Sequence, residues 1–312
     1  MGLGIGTGSG LSWNLVDDVR ILLSYHFMLN AVRAGTIVAV VAGAIGYLMV
    51  LRRQSFAGHT LAVIGFPGAA GATWLGLASG FGYFGFCVAG ALVIAAIPGA
   101  GRAGGGLGGL GGYGEESAGI GVVQAFALAC GFLFVSLYRG FLSGLNNLLF
   151  GTITGITDDQ ILVLLVAGTG CLVALVALGR PLLFASVDPD VARASGVPVR
   201  AVGVAFLVLL GLTTAGTSQI TGSLLVFALL VAPAAAAARL TARPVAGLAL
   251  SVGLAVLVTW LGEGVAFFSP FPIGFWVTTF GFGAFLLATA YRAAADRVSR
   301  RPGVLAVAGG PA

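Results

Sequence analysis

The sequence predicts an all-α integral membrane protein with about nine transmembrane helices. Of its 312 residues, 58% are hydrophobic and only 8% are charged, and the mean hydropathy is +1.07. Long apolar runs alternate with short polar stretches. Because lipid offers no hydrogen-bond partners, each run must satisfy its own backbone, which favours helices. A soluble domain is excluded by this composition.

The chain is basic overall, but its arginines are distributed as in a membrane protein. The isoelectric point is near 9.6, yet every basic residue is an arginine, and the arginines lie at the ends of apolar runs rather than in one patch. Nucleic-acid binding is therefore not expected. Cys87, Cys130 and Cys171 are isolated in apolar surroundings, which predicts neither a disulfide framework nor a zinc knuckle.

The first 27 residues form a predicted extracytoplasmic segment. No basic stretch precedes an apolar core, so we expect no cleavable signal peptide. Residues 12–25 mix apolar side chains with Asp17, Asp18 and Arg20, as suits a short helix lying at the membrane surface.

Residues 28–295 form the predicted membrane domain, and residues 296–312 a cytoplasmic tail. By length and hydropathy the spans are 28–51, 58–78, 83–97, 122–138, 161–178, 201–215, 223–238, 245–268 and 274–291. Residues 98–121 are rich in glycine and poor in apolar side chains, which predicts a loop. Since this loop lacks a Gly-Lys-Ser/Thr ending, nucleotide binding there is not expected.

The arginines predict the orientation of these spans. With the N-terminus outside, twelve of the fifteen arginines lie on one face, and only Arg20, Arg33 and Arg139 lie on the other. Short loops with such a bias are cytoplasmic. The loops at 98–121 and 181–200, and the C-terminus, are therefore predicted to lie in the cytoplasm.

The loop at 181–200 is the one well-charged segment between two apolar runs. Asp188 before Pro189 is a helix-start signal, because proline at the first helical position lacks only an N–H that would be unpaired anyway. Gly196 and Pro198 are stop signals. A helix over residues 191–195 is predicted, either as a contact site for a soluble partner or as an ordinary polar connection.

Several segments, in order, resemble one family of membrane proteins. The motifs are FMLNA at 27–31, the pair Pro67-Gly68, LLFGTITGITDD at 148–159, VDPDVARASGVPVR at 187–200, TGSLLVFALLVAPAAAAARL at 221–240 and FPIG at 271–274. Together they resemble the permease subunits of zinc/manganese/iron-type ABC importers. The resemblance covers roughly residues 27–291.

This resemblance implies a type II-like ABC importer permease that works as a homodimer in a bacterial-type plasma membrane. It also implies a separate ABC ATPase and a separate extracytoplasmic metal-binding protein as partners. The chain has no Walker A sequence of its own, so any ATP is expected to be hydrolysed by the partner and the chain itself is not expected to be an enzyme. The family's coupling helix, which docks on the ATPase, maps onto Asp188, Pro189, Asp190, Ala192, Arg193, Ser195 and Gly196.

The second span is where the chain departs from the family. The family commonly carries Gly-Asp-x-x-Ser-His-x-x-x-Pro-Gly there, which places an Asp and a His four residues apart on one helical face. In this chain His59 replaces the Asp, and Ala62 and Val63 replace the Ser and His. One imidazole therefore stands where two ligands are expected.

Two intramembrane ionisable residues are the metal-ligand candidates. Placing such a side chain in lipid costs free energy, so its presence indicates a function. His59 could bind a metal or donate to a backbone carbonyl, and Glu263 could bind a metal or reach for interfacial water. His26 is a weaker candidate. Further polar residues between spans six and seven could line the path: Thr214, Thr217, Ser218, Gln219 and Thr221. Pro233 is a candidate hinge or a structural kink.

The sequence thus predicts a permease that moves a divalent transition metal inward by alternating access, powered by ATP on the partner. Imidazole favours zinc, with manganese or iron next; no cofactor is expected on the chain itself. The alternatives are a permease for a metal chelate or another small ligand, and a self-contained channel or secondary carrier. The last would be expected to have repeated halves, and no motif occurs twice.

Overall fold

The computed structural model describes residues 20–22, 24–97, 112–138, 155–222 and 226–299. Most of the predicted surface helix at 12–25, much of the glycine-rich loop, the outer segment up to residue 154 and the tail from residue 300 lie outside this part. All regular structure in the described residues is helical. The all-α prediction is confirmed for this part of the chain.

Ten helices account for most of the described residues. They are α1 (His26–Leu51), α2 (Ser55–Trp74), α3 (Ser79–Ala96), α4 (Gly112–Leu137), α5 (Asp158–Val187), α6 (Pro189–Ala194), α7 (Val199–Thr221), α8 (Val226–Leu240), α9 (Pro244–Phe268) and α10 (Ile273–Ser299).

Seven of these helices are long and apolar enough to cross a membrane. Of the nine predicted spans, the two that fall outside this set correspond to α2 and α8. Helix α2 carries four glycines, Pro67 and His59 within 20 residues, which lower its hydropathy, and α8 has only 15 residues. The count of nine spans therefore remains a prediction.

Helix α1 lies at the centre of the bundle, packed against α5, α7, α8 and α9. Small side chains allow this close packing, as is common between membrane helices. A Cβ at Gly46 would overlap the carbonyl oxygen of Leu230 on α8. On the opposite helix, Ser251 of α9 donates a hydrogen bond to the carbonyl oxygen of Gly43 at 2.8 Å. The α1–α8 and α1–α9 crossings thus depend on backbone-to-backbone approach.

A second close-packed group joins α2 to α3, α4 and α7. Gly68 and Gly82 face each other so closely that a Cβ on either would overlap the other's carbonyl oxygen. Between α2 and α4, the buried Thr60 donates a hydrogen bond to the Gln124 side chain at 3.0 Å. These contacts hold α2 closely against α3 and α4.

Four helices extend well beyond their predicted limits, one of them α10, which continues past Tyr291 to Ser299. Helix α4 begins at Gly112 rather than near residue 122. Helix α5 continues past Arg180 and Pro181 to Val187, and α7 continues through Thr221. The predicted loops at 98–121 and 181–200 are shorter than expected, because hydropathy marks where lipid ends and not where a helix ends.

Candidate functional site

The short helix α6 has the capping expected from its sequence. The Asp188 carboxylate accepts hydrogen bonds from the backbone N–H groups of Asp190 and Val191 at 3.2 and 3.0 Å, and Pro189 occupies the first turn. Gly196 has a φ of +85°, a conformation that glycine adopts without strain. The capping signals at Asp188 and Gly196 act as expected, but α6 runs from Pro189 to Ala194 and not over the predicted residues 191–195.

One face of α6 is packed and the other is exposed. Ala192 is fully buried against Ala185 at the end of α5 and Val199 at the start of α7. On the outer face, the Arg193 guanidinium donates to the Asp190 carboxylate at 2.9 Å, and both side chains are more than half exposed. Helix α6 is therefore fixed to two long helices while it presents charge to solvent.

Arg52 is a buried cation that the sequence did not distinguish from its neighbour. It is 1% exposed; its Nε donates to the Gln54 Oε1 at 3.2 Å and its Nη1 to the Ser186 Oγ at 3.1 Å. The guanidinium carbon also lies 5.1 Å from the ring centroid of Phe206. Desolvation lowers the pKa of Arg52 to about 10, which leaves it charged at neutral pH.

His59 lies half-buried on α2 and faces α8. Its ring meets Phe227 edge-on, with centroids 4.9 Å apart. The buried Nδ1 atom has no hydrogen-bond partner among the described residues. For this nitrogen, a hydrogen bond to a backbone carbonyl of the described residues is not formed.

Glu263 lies on α9, buried against α1. It is 1% exposed, and neither carboxylate oxygen has a hydrogen-bond partner within the described part of the chain. A Cβ at Gly35 of α1 would overlap this carboxylate, so the absence of a side chain at Gly35 makes room for it. The expected reach toward interfacial water is not seen, because the residue is buried.

The two metal-ligand candidates are not brought together. His59 faces α8, whereas Glu263 packs against α1, and no group of three His, Cys, Asp or Glu side chains able to hold a metal occurs among the described residues. At the start of α5, His26 Nε2 lies 3.9 Å from Asp158 Oδ2, with both side chains about three-quarters exposed. Asn30 donates to the same carboxylate at 2.9 Å.

The hydroxyl-bearing residues on α7 belong to one continuous helix and not to a connection between spans. Thr213, Thr214 and Thr217 each donate to a backbone carbonyl three or four residues earlier, and all three are buried. The side chains of Gln219 and Thr221 lie outside the described part. Pro233 is buried inside α8, and nothing in the structure distinguishes a hinge from a kink.

An apolar groove of about 690 Å³ lies between α3, α5 and α7, with Phe84, Val163 and Cys171 in its lining. A hollow of about 240 Å³ shares Phe84 and Val163 and adds Asp159 and Gln160 at the start of α5. Neither His59 nor Glu263 lines these spaces. The candidate ligands therefore lie within helix interfaces of the single chain.

Comparison with known proteins shows an extended similarity. The sequence profile of a family described as the ABC 3 transport family matches residues 24–292. The chain is 29% identical over 222 residues to the manganese transport system membrane protein MntC of Halalkalibacterium halodurans, covering 71% of this chain and 72% of that protein. It is 27% identical over 253 residues to the manganese import system permease protein ScaB of Streptococcus parasanguinis, covering 81% and 86%.

Two solved structures share the arrangement of helices. PsaBC from Streptococcus pneumoniae in complex with Fab matches with a TM-score of 0.76 and 25% identity, over 88% of this chain and 94% of that chain. An inward-facing conformation of a putative metal-chelate type ABC transporter matches with a TM-score of 0.64 and 18% identity, over 93% and 94%. The second likeness shows the fold alone.

Proposed function

The chain belongs to the ABC 3 transport family and is a membrane permease of the metal-importing ABC type, and from this premise we propose that it carries a divalent transition metal from an extracytoplasmic binding protein to the cytoplasm. The family match over residues 24–292 carries the proposal. Transport proceeds by alternating access: the path opens first to the outside and then to the inside.

The transported metal is proposed to be manganese, with zinc and iron as alternatives. The imidazole of His59 favours zinc, but the carboxylate of Glu263 is a harder ligand that suits manganese. Relatives aligned over most of their length are named as manganese transport or import proteins. That support moves manganese ahead of zinc, which the sequence alone places first.

The proposed assembly contains two copies of this chain, a cytoplasmic ABC ATPase and an extracytoplasmic metal-binding protein in the plasma membrane. The N-terminus lies outside and the C-terminus in the cytoplasm, as the arginine distribution favours. ATP is hydrolysed by the partner, and the metal is cargo rather than a cofactor of this chain.

Energy is proposed to enter at α6. The contact with the ATPase is formed by Asp188, Pro189, Asp190, Arg193, Ser195 and Gly196, in and beside α6, while Ala192 holds this segment in place. The exposed Asp190–Arg193 pair supplies polar groups for that contact, and the buried Ala192 ties the helix to α5 and α7. A push on α6 is thereby transmitted to two helices that border α1.

His59 and Glu263 are proposed to meet the metal in succession rather than as one site. Both have polar atoms without a hydrogen-bond partner among the described residues, and they lie on different helix interfaces. Weak, separated ligands suit a path that must release what it binds. Gln219 and Thr221 at the end of α7, and Pro233 within α8, are proposed to line or hinge that path.

The test is ATPase activity of the reconstituted complex with binding protein, measured with Mn²⁺, Zn²⁺ and Fe²⁺ in turn. We expect the strongest stimulation with Mn²⁺. Stimulation only by a chelated metal would favour the chelate alternative, which the separation of His59 from Glu263 supports. A complex whose ATPase ignores every metal, free or chelated, would overturn the proposal.

A further inference from the structure

Arg52 connects four long helices at one end of the bundle. It is the residue that follows α1, and its guanidinium contacts Ser186 near the end of α5 and the ring of Phe206 on α7. Its Nε binds Gln54, the residue that precedes α2. Four long helices therefore meet around one side chain.

A guanidinium in such a place requires its hydrogen bonds to be kept. Arg52 is 1% exposed, and burying a charge is costly unless its donors find acceptors. The planar guanidinium reaches its partners in fixed directions. If α5 shifts at Ser186, the arginine either loses its bond to Ser186 or follows it, and a guanidinium that follows moves relative to Gln54.

Ser186 places Arg52 next to α6. Only Val187 separates Ser186 from Asp188, whose carboxylate caps α6. The adjacent Ala185 packs on the buried Ala192 of α6 and on Val199 of α7. A displacement of α6 therefore reaches the Arg52 contacts on α5 through a few packed residues.

Gln54 places Arg52 next to His59. Gln54 is 5% exposed and precedes the first turn of α2, and its side-chain oxygen binds Arg52 instead of capping the helix. His59 follows five residues later on the same helix. The rotation of α2 at its start is therefore coupled to the position of the guanidinium.

We propose that Arg52 is a positioning residue that transmits movement of α6 to α2, and so sets when the His59 side chain faces the metal path. This inference rests on the proposed function, because it names how the energy received at α6 reaches a candidate ligand. It assigns a role to an arginine whose charge alone predicted only the cytoplasmic end of a span.

Arg53 provides a matched control. It is adjacent to Arg52 and carries the same charge, but it is exposed and has a φ of +57°, which turns the chain toward α2. Arg53→Lys and Arg52→Lys make the same chemical change in the same turn. Only Arg52→Lys removes a planar guanidinium from the contact between α1, α5 and α7.

The experiment measures Mn²⁺ ions moved per ATP hydrolysed by the full complex in vesicles. For Arg52→Lys and Ser186→Ala we expect ATP hydrolysis to continue while the ratio falls at least about threefold, in line with coupling changes seen along packed networks. Arg53→Lys should keep the wild-type ratio. A purely structural role would lower both rates together and leave the ratio unchanged.

The inference is overturned if Arg52→Lys and Ser186→Ala keep the wild-type ratio, including the case in which both rates fall in proportion. Should Arg52→Lys fail to reach the membrane, Ser186→Ala decides alone, because that change removes one hydroxyl and leaves the charge in place. A wild-type complex that moves none of Mn²⁺, Zn²⁺ and Fe²⁺, free or chelated, would instead refute the proposed function itself, before any variant is compared; if only another of these metals moves, the ratio is measured with that metal.

Discussion

His59 and Glu263 are ionisable side chains inside otherwise apolar helices, and each is held at a different helix interface. His59 has one ring nitrogen without a hydrogen-bond partner among the described residues, and an edge-on contact with Phe227. Glu263 has two unpaired oxygens beside Gly35 within the described part of the bundle. Unpaired polar atoms lower stability, so their presence at these positions points to a use in transport.

The ring nitrogens of His59, and not its aromatic contact with Phe227, are expected to be needed for Mn²⁺ uptake. His59→Phe keeps an aromatic contact with Phe227 and removes both nitrogens, whereas His59→Ala removes both features. Loss of a metal contact should lower Mn²⁺ uptake about tenfold or more in both variants. Uptake into vesicles that remains normal in His59→Phe would reduce His59 to a packing residue.

Glu263 is expected to lower stability while supporting transport. Glu263→Leu should raise the free energy of unfolding by about 1–3 kcal/mol, because it removes a buried polar group without a hydrogen-bond partner. The same variant should lose Mn²⁺ uptake. The two measurements are the thermal unfolding midpoint in detergent and uptake in vesicles. Unchanged uptake in the stabilised variant would exclude Glu263 from the path.

For single residues, roles in helix capping could be predicted from the sequence, whereas contacts between helices could not. Asp188, Pro189 and Gly196 act within a few residues of chain, so their capping roles can be inferred from the letters. Arg52 and Arg53 look alike in the sequence, and only the turn that follows α1 buries one and exposes the other. The unpaired state of Glu263 likewise depends on which helix packs against α9.

Helix α6 combines a buried anchor with an exposed ion pair, so its two faces can be tested separately. The Asp190–Arg193 pair is more than half exposed, and such pairs contribute only about 0–1 kcal/mol to stability. Asp190→Ala with Arg193→Ala should therefore leave membrane insertion intact. We expect the ATP hydrolysis rate of the complex to fall to the rate of the ATPase subunit alone.

The control for this variant is the Arg292–Asp296 pair on α10, which is similarly exposed, with an Arg Nε to carboxylate distance of 3.3 Å. Replacing both of these residues with alanine removes the same charges elsewhere on the chain. Normal ATPase stimulation in the control and in the α6 variant alike would contradict the coupling role of α6.

The crossing of α1 with α8 predicts that alanine substitution at two different glycines has very different effects on stability. Gly46→Ala would place a methyl group against the carbonyl oxygen of Leu230, and because backbone atoms cannot rotate away, we expect a loss of about 1–3 kcal/mol in stability. Gly253→Ala on α9 meets no atom within 4 Å and should change stability by less than about 1 kcal/mol. Thermal unfolding in detergent distinguishes them, and equal midpoints would contradict this crossing.

Helix existence could be predicted from hydropathy, but helix ends could not. Helices α4, α5 and α7 each extend into stretches that looked like loops, since polar and glycine residues outside lipid can still continue a helix. The extension of α5 matters for packing. It brings Ser186 into contact with Arg52 and places α6 directly after the end of α5.

At the scale of the whole molecule, the family and the helical class follow from the order of motifs, whereas the helix partners do not. Apolar composition is compatible with many packings. The central position of α1 is specified by where glycines such as Gly35, Gly43 and Gly46 permit contact. That packing, and not any single motif, separates His59 from Glu263.

The most direct test of the whole account is Mn²⁺ uptake into vesicles that contain the complete complex and enclose ATP, with binding protein outside. We predict accumulation that requires ATP and disappears when Asp190 and Arg193 are both replaced by alanine. Accumulation that continues without ATP, or without the ATPase subunit, would show a channel or secondary carrier and contradict the account.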